Sequence, residues 1–114
     1  MSIFTKSKQK IRRRKLRKLG VETSFCKNSK LFGGDHGWVL DESKISEDSV
    51  IYSVGVGSNI DFDIALIERF NLVVHAFDPT PRSIEWVENQ SITKNFKFYP
   101  LGLGGKDGTM NFFP

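Results

Sequence analysis

The alternation of apolar and polar residues divides the chain into three stretches. From position 50 the sequence reads VIYSVGVGSNIDFDIALIERF. Its opening is a nearly continuous apolar run, which predicts a strand over about 50–55 covered on both faces. Ile60, Ile64 and Ile67, joined by Leu66 and Phe70, then recur at helical spacing and predict a helix over about 60–70. Asp63, Glu68 and Arg69 fall on its polar side, and Asp61 and Asp63 suit the positive end of the helix dipole. A second apolar run, 72–78, predicts a second strand. Thr80 and Pro81 then supply an N-cap and a first helical residue for a helix to about 90, with Ile84 and Val87 facing inward and Trp86 flanking. Residues 95–102 alternate as a third strand, and Thr109–Phe113 reads as a fourth strand or hairpin arm after the Gly104–Gly108 turn.

Strands alternating with helices at this spacing predict βαβ units, a parallel sheet and right-handed crossovers. Residues 21–49 form an irregular lead-in with a short strand near 38–40 and a buried anchor at Ile45. Trp38 and Trp86 read as partly buried packing residues.

Charge changes the picture at the N-terminus. Residues 1–20 hold nine Lys or Arg and no acid, leaving eight basic and 13 acidic side chains in the other 94 residues. The net +4 therefore belongs to a basic arm, and the body is mildly acidic. Between 7 and 19 the arm has apolar residues only at Ile11, Leu16 and Leu19, too few for a core face. It reads first as a flexible, solvated terminus and second as a weak contact for an anionic surface. No aromatic residue is interleaved in that segment to stack on bases, so no specific nucleic-acid partner is expected. No apolar run approaches a membrane span, no secretory leader pattern is present, and the lone Cys26 allows no internal disulfide. These features suggest a cytoplasmic protein.

Candidate chemistry gathers where the first strand meets the first helix. Gly55 and Gly57 occupy the strand–helix turn, where open α/β sheets bind ligands. Asp78 ends the second strand 21 residues after Gly57, where an acid accepts hydrogen bonds from ribose hydroxyls. Together they point to an adenosine-containing cofactor. Ile60 stands where the dinucleotide fingerprint needs a small residue, and the phosphate-loop pattern is absent, so S-adenosylmethionine fits better than a dinucleotide. His75 reads as a core or edge histidine, His36 as a solvated loop histidine, and no residue spacing suggests a metal site.

With these motifs in place, the chain from about Gly33 to Pro114 resembles the N-terminal half of an FkbM-like methyltransferase, a class I S-adenosylmethionine-dependent enzyme. The stretches that carry the resemblance are VIYSVGVGSNIDFDIALIERF, VVHAFDPTPRSIEWV and FKFYPLGLGGKDGTMNFF, in that order. It implies a Rossmann-like α/β fold, with residues 50–114 forming a methyltransferase domain that stops after three to four strands. It further implies a cofactor loop of Gly55, Gly57, Ser58 and Asn59, with Asp78 and Pro79 around the ribose and Leu101 and Gly102 near the adenine. The acceptor would be a small or glycan-like molecule methylated on oxygen. Catalytic residues would lie beyond residue 114, so the chain alone is expected to be inactive. Ser53 replaces the acid common two residues before the first loop glycine, which leaves open what meets the cofactor's amino group. The alternatives are a non-catalytic nucleoside-binding piece, a Rossmann-like piece completed by a partner, and an NAD-dependent dehydrogenase.

Overall fold

The computed structural model describes residues 3–22 and 27–113. Cys26 lies outside the described residues. The arm is a helix, α1 (Ile3–Lys18). Lys15, Arg17 and Lys18 in its last turn meet the negative end of its dipole favourably. Ile11 and Leu19 are exposed, as the sparse apolar spacing requires.

Two short strands follow, β1 (Ser29–Phe32) and β2 (Trp38–Asp41). They pair as an antiparallel hairpin, Phe32 opposite Trp38 and Ser29 opposite Asp41. The sequence predicted only the second of them, because Ser29–Phe32 has little alternation to reveal it. The hairpin is anchored by Phe32, which is buried and packs against Phe70 with ring centroids 5.8 Å apart. Ile45 is half-buried against the core, as expected.

The body runs β3 (Val50–Val54), α2 (Asp61–Phe70), β4 (Val73–Phe77), α3 (Pro81–Glu88) and β5 (Phe96–Tyr99). The three strands form one parallel sheet in the order β3-β4-β5. The protein is therefore mixed α/β, with a three-stranded parallel sheet flanked by helices. β5 stops before Pro100, whose nitrogen cannot donate to a ladder.

Consecutive strands joined by crossovers of one hand put both connecting helices on the same face of the sheet. Val74 and Ala76 are fully buried on that face, with Leu66, Ile67, Leu72, Val87 and Phe96 completing the core. The opposite face is open. Val50, Tyr52 and Val54 are exposed, which corrects the expectation that this strand is covered on both sides. An apolar run reports what a strand could bury, and among the described residues the two connecting helices cover one side of this sheet. Along the open face lie Tyr52, His75, Phe77 and Tyr99, with Phe77 and Tyr99 stacked 4.9 Å apart and His75 Nδ1 3.0 Å from the Tyr99 hydroxyl. His75 is thus a half-buried mid-strand histidine with a partner.

Two more expectations are corrected. Residues 109–113 form no strand, and Met110 and Phe113 stand exposed with no ladder to join. Trp38 is 68% exposed, because the side of the hairpin that carries it faces open space.

Candidate functional site

The carboxyl ends of β3, β4 and β5 lie side by side, and every residue nominated from sequence leaves one of them. Gly55 continues the ladder, its N–H donating to the Phe77 carbonyl at 2.9 Å. The chain then turns sharply. Gly55 (φ 82°) and Gly57 (φ 60°) both take left-handed torsions, which cost residues with a Cβ about 1 kcal/mol or more. A Cβ built at either would meet nothing within 4 Å, so torsion demands glycine there and the space above the turn stays free. Val56, buried between them, pins the turn to the core.

Asp78 is 5% exposed and spent on the protein itself. Its Oδ2 accepts the Gly57 N–H at 2.9 Å. Its Oδ1 accepts the Thr80 N–H at 2.9 Å and the Thr80 hydroxyl at 2.7 Å. Burial alone would raise its pKa, but the donors at Gly57, Thr80 and Ser83 outweigh that and hold the carboxyl below its ordinary range. Asp78 therefore ties the first turn to the second. A ribose hydroxyl could engage it only through its remaining lone pair or by displacing one of these donors. Thr80 sits at the N-cap position of α3, yet its side chain caps nothing, since the hydroxyl is turned to Asp78. Pro81 opens the helix as expected.

The other nominated residues fall into two groups. Gly55, Ser58 and Asn59 line an open cleft of about 740 Å³ between the free edge of β3, the start of α2 and the hairpin, where His36 and Trp38 form part of the wall. Asn59 also shapes the entry to α2, where its Oδ1 accepts the Asp61 N–H at 3.0 Å. Pro79, Leu101 and Gly102 lie outside the cleft's lining. Gly102 packs on the Pro79 ring, where a Cβ would come within 3.1 Å of Cγ. The Gly57–Asp78 hydrogen bond joins the two groups.

Asp63 was expected among the polar residues of α2. It is instead 4% exposed, at the foot of the cleft, in the first turn of that helix. Its Oδ1 has no hydrogen-bond partner. Burial pushes its pKa up, offset in part by the Ser53 side chain and its own backbone N–H. The signal was present in the sequence: Ile60, Asp63 and Ile67 occupy one helical stripe, with the acid in a core position. Asp61, by contrast, is exposed near the helix start, as expected.

Among the described residues no cluster of His, Cys, Asp and Glu could hold a metal ion, and no helix is long and apolar enough to cross a membrane. Comparison with protein-family models, with curated proteins and with solved structures gives no match.

Proposed function

We propose that this chain binds S-adenosylmethionine at the carboxyl ends of β3 and β4, on a Rossmann-like sheet of the class I methyltransferase type. The observation that carries the reading is the turn after β3. Two left-handed glycines stand beneath open space, at the start of a helix, tied by a 2.9 Å hydrogen bond to the acid that ends the next strand. Such a turn lets a ligand lie against bare backbone, and the helix start favours a negatively charged group such as an amino-acid carboxylate. Ile60 is buried at the position where a dinucleotide site needs a small residue, which favours a cofactor lacking pyrophosphate over NAD.

The residues present suit that cofactor in three ways. Gly55 and Ser58 border the cleft and leave room for its amino-acid moiety. Asp78 keeps the glycine turn in shape and offers the ribose one lone pair at most. Pro79 and Gly102 form an apolar contact at the ends of β4 and β5, against which an adenine could lie. Bound there, the cofactor would supply an activated methyl group for an acceptor, read as the oxygen of a small or glycan-like molecule. The protein would act mainly by holding the two reactants in line. No residue in the chain is assigned as a catalytic base.

A two-dimensional amide spectrum titrated first with S-adenosylhomocysteine and then, separately, with NAD tests the reading. Shifts centred on Gly55, Gly57 and Ser58 with the first ligand alone are the expected result. Shifts with NAD alone would indicate a dehydrogenase-type site, and indifference to both would leave a folded module with no nucleoside ligand.

A further inference from the structure

Asp63 raises a question that the fold alone does not answer. A carboxylate buried in a protein is normally paired or fully hydrogen-bonded. Asp63 is 96% buried, and its Oδ1 has no partner. Neither of the ion pairs among the described residues involves it: both use Glu42, with Lys30 and with Arg69. Nor does the cleft that it lines contain a lysine or an arginine. The titratable side chains sharing that lining are His36 and Tyr52, from the loop before β2 and from β3. An acid kept in such a place without a cation is poised for one that arrives from outside.

We infer that Asp63 is the anchor for a ligand's ammonium group, and that the ligand's amino-acid end enters the cleft beside Gly55 and Ser58. The inference rests on the proposed cofactor reading and adds to it the residue that recognises the α-amino group. The geometry supports this placement. Ser53 is on β3 two residues before Gly55, at the point where the sequence lacks an acid. Asp63 lies in the first turn of α2, and Ser53 and Asp63 both line the cleft. The strand therefore contributes a hydroxyl, and the helix contributes the missing charge. The ligand's carboxylate would sit toward the segment before α2, where Ser58 and Asn59 border the cleft. An ammonium pairing with a buried carboxylate is a charge-assisted hydrogen bond, stronger than a neutral one. It would also relieve the cost of burying Asp63 alone, since binding would bring the charge that the folded chain lacks.

The test uses the full chain and three ligands: S-adenosylhomocysteine, its des-amino analogue, which keeps the carboxylate, and 5′-methylthioadenosine, which has neither group. Wild-type chain is expected to bind S-adenosylhomocysteine more tightly than the des-amino analogue. Asp63→Asn should weaken S-adenosylhomocysteine roughly ten- to a hundredfold, while leaving the des-amino analogue and methylthioadenosine within about threefold. The amide spectrum of the variant verifies that it is folded. A second measurement needs no variant: the Asp63 carboxyl carbon in wild-type chain should titrate at lower pH once S-adenosylhomocysteine is bound, and not with the des-amino analogue. If Asp63→Asn binds S-adenosylhomocysteine as wild type does, or if the carboxyl titration ignores the amino group, the inference fails while the cofactor reading stands. If wild-type chain binds none of the three ligands, both fail together.

Discussion

Asp63 and Asp78 are buried to nearly the same degree, 4% and 5% exposed, and the protein treats them in opposite ways. Asp78 accepts three hydrogen bonds from Gly57 and Thr80, and its pKa is held down in spite of burial. Asp63 keeps one oxygen without a partner, and burial pushes its pKa up. Desolvation acts on both, and the difference lies in the donors around each. Asp78 is employed in joining two turns at the ends of β3 and β4. Asp63 costs the free chain stability that a ligand could return. Burial by itself therefore does not say what a buried acid does; the donors around it do.

Removing the employed acid should have the largest effect. Asp78→Ala leaves the Gly57 and Thr80 donors without their acceptor and should destabilise the chain by about 2–4 kcal/mol in urea unfolding. Exchange of the Gly57 amide should accelerate at the same time. A loss below about 0.5 kcal/mol would mean that the turn holds its shape without the clamp.

Acid should erase the Asp78 contribution next. Its folded pKa lies below the unfolded value, so its stabilisation is present above the ordinary carboxylate range and is lost as pH falls through the folded pKa. Urea unfolding at a series of pH values should show this acid limb flattened in Asp78→Asn.

Asp63 should respond with the opposite sign. Its folded pKa lies above the unfolded one, so its penalty is absent at low pH, grows as pH rises past the unfolded value, and is complete above the folded pKa. Asp63→Asn should therefore stabilise the ligand-free chain at neutral pH by up to about 1 kcal/mol. That gain should vanish near pH 3, where wild-type Asp63 is protonated too. Destabilisation at neutral pH would contradict the isolation of Asp63, and His36, which shares its cleft, would be the residue to substitute next.

The smallest effect belongs to Ser53. Ser53→Ala removes an interaction that favours the charged form of Asp63, so the Asp63 pKa should rise further. The stability cost should be about 0.5–1 kcal/mol, seen as a shifted urea midpoint with an unchanged slope.

The three parallel strands and two connecting helices were legible because each carries its own signal: the 50–55 run, Ile60 to Ile67, the 72–78 run, Pro81 opening its helix, and the alternation over 95–102. What was not legible depends on neighbours far away in the chain. Nothing in VIYSV says that both helices will pack on one face and leave Tyr52 exposed; strand order decides that. Ser29–Phe32 becomes a strand because Trp38–Asp41 lies opposite it. Met110–Phe113 has strand-like composition but finds no ladder. Within the candidate site, Gly55 and Gly57 were readable from spacing, since left-handed torsions select glycine. The engagement of Asp78 by the Gly57 and Thr80 donors was not, because those donors come from turns whose geometry the sequence does not state. Asp63 lay within reach of the helical pattern, but assigning every acid of α2 to the polar side hid it.

The most direct test of the contrast between the two acids is a carbon-detected titration of the side-chain carboxyls of the ligand-free chain. Asp78 should titrate below the ordinary aspartate range and Asp63 above it. Coincident midpoints for Asp63 and Asp78 would contradict the account, because they would mean that the donors around Asp78 and the isolation of Asp63 do not set two different environments.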